Sequence, residues 1–267
     1  MAIKKELNNK NKHNQETIQK ETIKNISEEG LSLIIPCYNE EIKFKENIDK
    51  IISFLNKFKK KELILINDGS SDRTLDEFQK AKKKFKFIKI ISYKRNKGKG
   101  YAVKKGLLNA TYKYILISDI DLSTPLEDFY KLSSYIERYD IVIGSRGLKN
   151  SNVIIKQPFF KELLGRIGNF FINLILNLNI KDTQCGFKLM KDNSKEIFKR
   201  IKSNGFGYDF EFLFVAKKHG FKIKEVPITW KNDKRSKVKF KHYLITLYEL
   251  LKVKYNDLKG FYYHTKF

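Results

Sequence analysis

Leu31-Ser32-Leu33-Ile34-Ile35 runs without a charge into Pro36-Cys37-Tyr38-Asn39-Glu40. A short continuous apolar run closed by polar residues reads as a strand covered on both faces, since a half-exposed strand would alternate. The same pattern recurs at 62–66, 87–92, 114–118 and 140–143, with lysine-rich helical patterns near 40–58, 72–84, 98–110 and 125–137 between them. Strand–helix alternation with short connections predicts an α/β fold built on a mostly parallel, right-handed, doubly wound sheet. Ligands of such sheets sit beyond the carboxyl ends of the strands.

The residues beyond those ends are polar. Ile66 leads into Asn67-Asp68-Gly69-Ser70-Ser71-Asp72, Ser118 into Asp119-Ile120-Asp121, and Ile143 into Gly144-Ser145-Arg146-Gly147. Turn chemistry accounts for Asn, Asp, Gly and Ser. It does not account for an Asp-x-Asp and an arginine at one edge. Two carboxylates one residue apart at a strand end make a hard oxygen site for Mg2+ or Mn2+, ions that combine one or two carboxylates with substrate phosphates and water. Asp119 and Asp121 are therefore the candidate metal ligands.

Composition narrows the class. With 41% hydrophobic residues, 21 Phe and 14 Tyr among 267 residues, the chain can build a sizeable core and is not a disordered linker. Two cysteines, Cys37 and Cys185, exclude a disulfide scaffold and suit a reducing compartment. The net charge of +25 draws anions, whether nucleic acid, anionic lipid or phosphorylated metabolites. A nucleic-acid protein should also show a binding module or aromatic-basic motifs, and none is present.

The ordered motifs resemble a known family. Leu33 to Glu40, Leu65 to Asp72, Asn96-Lys97-Gly98-Lys99-Gly100, Asp119-Ile120-Asp121, Gly144-Ser145-Arg146 and Asp182-Thr183-Gln184-Cys185-Gly186-Phe187-Lys188 are similar to the inverting nucleotide-sugar glycosyltransferases of the GT-A fold, family 2. Within it they resemble the dolichyl-phosphate β-glucosyltransferases and dolichol-phosphate mannose synthases, with the Asp182–Lys188 string closer to the glucosyl branch. The resemblance implies transfer of a hexose, glucose from UDP-glucose, to a polyprenyl phosphate such as dolichyl phosphate. Its alternatives are mannosyl transfer from GDP-mannose and transfer to a hydroxyl of a surface glycan.

Residue by residue, the resemblance implies that Pro36, Tyr38, Glu40, Asp68, Lys99 and Asp119 bind the nucleotide sugar. Asn67 stands where a second Asp is usual. Lys188 and the Lys234-Arg235-Ser236-Lys237 segment, of which Arg235 and Lys237 are the named candidates, supply cations toward the leaving diphosphate. Asp121 is expected beside the reacting centre. A phosphate monoester acceptor has a second pKa of about 6, so it arrives mostly ionised and needs a cationic clamp rather than a base. Arg146, whose planar fork matches phosphate oxygens, is the expected clamp. Lys161 and Arg166 are expected to add cations, on the resemblance. A hydroxyl acceptor would need a base. Asp209 is the candidate, although its place before a predicted helix also suits an N-cap.

Residues 1–29 are polar and predict a flexible tail, followed by a GT-A domain over 30–240 and an amphipathic, basic segment over 241–267. No apolar stretch is long enough for a signal peptide or membrane span. Within 167–180, however, Asn169, Asn173 and Asn177 recur with Arg166 at helical spacing, while Phe170, Phe171, Leu174, Ile175 and Leu178 cover the rest. A second amphipathic stretch spans 243–255. Both predict helices lying at a lipid interface, with lysines drawn to anionic headgroups. Peripheral attachment to the cytoplasmic face of a membrane is the expectation.

Overall fold

The structure, a computed structural model, describes residues 17, 19–155, 158–233, 235 and 240–263, with backbone alone at 240–241. A helix over 19–29 (α1) leads into strand β1 (Leu31–Cys37), followed by α2 (Glu41–Leu55), β2 (Lys61–Asp68), α3 (Thr74–Lys84), β3 (Ile88–Tyr93), α4 (Lys99–Leu108) and β4 (Tyr114–Ile117). Then come α5 (Phe129–Ile136), β5 (Ile141–Ser145), β6 (Asn152–Ile155), α6 (Phe159–Leu176), β7 (Lys188–Lys191), α7 (Lys195–Arg200), α8 (Tyr208–Lys218), β8 (Ile223–Pro227), β9 (Thr229–Lys231) and α9 (Phe240–Leu258).

The main sheet has seven strands in the order β3-β2-β1-β4-β7-β5-β8. All its pairings are parallel except those of β7, which runs antiparallel between β4 and β5. β6 and β9 form a small parallel pair of their own. The predicted α/β, mostly parallel doubly wound architecture is the one observed.

Both faces of the sheet are covered, as the unbroken apolar runs require. Leu33 and Ile35 of β1 point into a core with Phe44, Phe54, Phe78 and Phe129, while Ile34 points into the opposite one with Ala102, Val103 and Phe212. The first core is aromatic, with Phe44 and Phe78 centroids 4.8 Å apart and Phe54 and Phe129 at 5.4 Å.

Two expected boundaries differ from the structure. The reading of 1–29 as one flexible tail does not hold for α1, where Ile26 and Thr22 are buried against the body. Residues 1–16 lie outside the described part. Nor is 241–267 a separate segment. Leu250 and Val253 of α9, and Tyr262 beyond it, are buried in the second core, because one side of the amphipathic pattern completes that face.

The chain passes from β1 through β2 to β3 on one side and returns to β4 on the other, so the strand order reverses between β1 and β4. A crevice opens where neighbouring loops part in opposite directions. Residues 36–40 and 118–123 border it.

Candidate active site

Asp119 and Asp121 stand just beyond β4. Asn47 of α2 donates through its amide to the Ile120 carbonyl between them at 3.0 Å. Leu122 turns left-handed at φ 47°, an unusual conformation for a branched side chain. Ser123 donates its N–H to Asp121 Oδ1 at 2.9 Å, and its carbonyl accepts from Lys231 of β9 at 2.8 Å. The carboxylate loop is thus pinned from α2 and β9 before any ligand arrives.

The two carboxylates have opposite electrostatics. Desolvation works against the charge of Asp119, but the Lys99 ammonium, 2.7 Å from Oδ1, overrides it and holds the carboxyl below its ordinary range. Desolvation raises Asp121, and the charge of Asp119 adds to the shift. The Asp119 side chain keeps 39% exposure, so it can be reached from the crevice. Gly186 leaves room for it, since a Cβ there would stand 2.5 Å from Asp119 Oδ2.

Pro36 closes β1, Tyr38 is exposed and Glu40 opens onto α2. Glu40 shares a lysine that belongs to none of the sequence motifs. Lys43 is buried, with Nζ 3.3 Å from Glu40 and 3.2 Å from Asp233. Burial opposes its charge, but Glu40, Asp121 and Asp233 together raise its pKa. The only local signal was the Glu40–Lys43 spacing on a helix start, and Asp233 is far away in sequence.

Asp68 has an internal task. It is buried, and its carboxylate accepts from the Lys97 N–H at 2.8 Å, the Gly98 N–H at 3.0 Å and the Asn96 amide at 2.9 Å. This differs from the expectation that Asp68 presents its carboxylate to the nucleotide. It shapes the loop that starts α4 and so places Lys99. Gly98, at φ 100°, supplies the bend, and Asn204 leaves no room for a Cβ there.

Two further ion pairs cross the sheet mouth. Lys188 donates to Asp209 and to the Cys185 carbonyl, with both charged side chains fully enclosed. Lys188 is therefore not a surface cation for a diphosphate. Asp209, at the start of α8, is not an accessible base, because burial and Lys188 commit its carboxylate. Burial, with Asp182 nearby, pushes the Cys185 thiol up to about 12.

Arg146 donates from its backbone N–H (2.9 Å) and Nε (2.6 Å) to Asp182 Oδ2, and from Nη2 to Oδ1 (2.7 Å). Its guanidinium also lies over Trp230, 5.4 Å from the ring centroid. Desolvation opposes the Asp182 charge, and Arg146 outweighs it and depresses the carboxyl pKa. The guanidinium is held in one direction with its Nη1 edge uncommitted to Asp182.

The remaining predicted cations are placed differently. Lys161 and Arg166 are on the outer helix α6, where Arg166 is exposed and pairs with Glu162 at 2.7 Å. Arg235 makes a fork on Glu46 of α2, both contacts 2.9 Å. Lys237 lies outside the described residues, as do Lys234 and Ser236.

Among the described residues no group of three or more His, Cys, Asp or Glu side chains could enclose a metal. Asp119 and Asp121 fit a divalent ion held jointly with substrate phosphates, not one caged by protein alone.

The sequence pattern described as glycosyl transferase family 2 matches residues 32–202. The chain belongs to glycosyl transferase family 2. Family 2 relatives include the dolichyl-phosphate beta-glucosyltransferase of Dictyostelium discoideum, 36% identical over 223 residues that cover 78% of this chain and 68% of the relative. The enzyme of that name from Homo sapiens is 29% identical over 239 residues, covering 82% and 74%. Solved structures share the fold. Glucosyl-3-phosphoglycerate synthase from Mycobacterium tuberculosis, crystallised with Mn2+, uridine diphosphate and phosphoglyceric acid, gives a TM-score of 0.65 at 17% identity, covering 88% of this chain and 82% of that one. Mannosyl-3-phosphoglycerate synthase from Rubrobacter xylanophilus gives 0.68 at 16% identity, covering 90% and 77%.

Proposed function

We propose that this family 2 glycosyltransferase moves glucose from UDP-glucose to a polyprenyl phosphate such as dolichyl phosphate, with inversion at the anomeric carbon. The observation that carries this reading is the burial of Asp209 against Lys188. The carboxylate that a hydroxyl acceptor would use as its base is committed, while the mouth of the sheet is lined with the cations Lys99 and Arg146. That suits an acceptor that arrives already ionised.

The chemistry balances without a proton transfer. A phosphate oxygen of the acceptor forms the new bond to the anomeric carbon, and the bond from that carbon to the diphosphate breaks. The electron pair leaves with UDP. Lys99, fixed at Asp119, faces the negative charge that grows there, and such preorganised charge lowers barriers because it needs no rearrangement in the transition state. A divalent cation, Mg2+ or Mn2+, supplies further neutralisation of the leaving diphosphate when held by Asp119 and Asp121. Arg146 offers its remaining N–H edge to the acceptor phosphate.

The acceptor's lipid tail places the reaction at a membrane, and the surface agrees. No helix among the described residues is long and apolar enough to cross a bilayer. Instead α6 exposes Phe159, Phe160, Phe170, Phe171 and Leu174, and its neighbour α9 exposes Leu244, Leu247, Tyr248 and Leu251. This apolar surface on a chain of net charge +25 suits the anionic cytoplasmic face of a membrane.

The test is a donor screen with purified protein, Mn2+ or Mg2+ and a short-chain prenyl phosphate. Glucose transfer from UDP-glucose to the phosphate, abolished by a chelator and restored by either ion, is the expected result. Transfer only to a glycan hydroxyl, or transfer indifferent to chelation, would overturn the proposal.

A further inference from the structure

Asn169 and Asn173 of α6 face the protein, and the helix's phenylalanines face out. Asn169 Oδ1 accepts both the N–H and the hydroxyl of Thr183, at 3.1 and 2.7 Å, and its amide donates to the Lys181 carbonyl at 3.0 Å. Asn173 accepts the Ile180 N–H and donates to the Ile180 carbonyl, each at 2.8 Å. Asn177 and Asn179 turn left-handed, at φ 50° and 57°, and fold the chain back after the helix. A helix surrounded by water carries its polar stripe outward. Here Asn169 and Asn173 are spent on one short segment, 180–183.

That segment holds Asp182. From the other side Glu225 of β8 accepts the N–H groups of Lys181 and Asp182, at 2.9 and 3.1 Å. Asp182 in turn takes three donors from Arg146. The direction of the guanidinium therefore depends on where Asp182 sits, and that depends on Asn169 and Asn173 from one side and Glu225 from the other. Asparagine is a poor interior helix residue, and both amides are matched to this segment.

We infer that Asn169 and Asn173 are positioning residues that tie Arg146 to the helix whose outer face meets lipid. They hold the guanidinium edge in one direction at the mouth of the sheet, toward the acceptor phosphate. This rests on the proposed readings of Arg146 as the acceptor-phosphate cation and of the outer face of α6 as the lipid side.

The experiment uses the full chain, UDP-glucose and a short-chain prenyl phosphate, with Asn169→Ala and Asn173→Ala each alone and in an Arg146→Met background. Loss of two or more hydrogen bonds to the segment should raise the acceptor KM about tenfold. Donor KM and UDP affinity should stay within about twofold, because the nucleotide side is untouched. In the Arg146→Met background the effect of either asparagine variant on acceptor KM should disappear. A fall in kcat alone, or an unchanged effect in that background, would overturn the inference and leave the asparagines as fold determinants. If Arg146→Met leaves acceptor KM where it was, the reading of Arg146 fails and the inference with it. Should Asn169→Ala not fold, Asn173→Ala decides by the same criteria.

Discussion

The Lys188 ammonium donates to the Asp209 carboxylate in a pair sealed from solvent, with the Cys185 carbonyl taking a second ammonium N–H. Both charges were moved out of water, and each makes the other tolerable. Removing one partner strands the other, a loss of about 3–5 kcal/mol, whereas replacing both with shape-matched neutral groups can be nearly neutral. Lys188→Met and Asp209→Asn should each lower stability in urea unfolding by that order. The double variant should be more stable than either single one. A double variant as weak as the sum of the two would contradict an isolated pair.

Gly186 sits against Asp119 with no space for a side chain. Gly186→Ala brings a methyl group 2.5 Å from Asp119 Oδ2, closer than real contacts allow, so the carboxylate must move. UDP binding in the presence of Mn2+, followed by calorimetry, should weaken at least about tenfold, in line with loss of a charge-assisted contact. Unchanged affinity would show that Asp119 is not at the diphosphate.

Asp182 gives a pH signature. Arg146 depresses its carboxyl pKa in the fold against the opposing effect of desolvation. A depressed carboxylate contributes stability that is complete above its unfolded pKa of about 4 and is lost as pH falls through the folded value. Asp182→Asn should therefore be less stable than the unaltered protein at pH 7. The difference should shrink below pH of about 4, where protonation removes the wild-type advantage as well. Thermal unfolding across that range checks the sign, and a constant difference would exclude the Arg146 pair as its source.

The outward face of α6 makes lipid binding measurable. Flotation with anionic vesicles at low salt should carry the protein upward, and added salt should weaken the association as lysine–headgroup attraction is screened. Phe170→Ser with Phe171→Ser should abolish flotation with little cost in stability, since neither ring is part of the buried cores. No flotation of the unaltered protein would remove the membrane reading.

Continuous apolar runs made β1, β2 and β4 readable, because a strand covered on both faces has nowhere to put a charge. β7 was not readable. Its sequence, Lys188-Leu189-Met190-Lys191, is short and charged, and the distant Asp209 together with the Cys185 carbonyl makes its buried lysine acceptable. The outward α6 was half readable. Its amphipathic period showed, but which stripe faced the protein depended on the 180–183 segment.

The same division runs through the candidate site. Asp119 and Asp121 declare themselves by position, because a polar pair directly after an apolar strand must emerge at the sheet's edge. Which charges meet was decided by tertiary structure. Arg146 and Asp182 are 36 residues apart, and Lys188 and Asp209 are 21 apart. They meet because β7 enters antiparallel between β4 and β5, setting Lys188 opposite both Ile117 and Ile143. Local sequence determined where strands begin and end, since burial acts on each run separately. Pairing of charges across the sheet is a non-local outcome, settled only when strand order brings distant residues within a few ångströms.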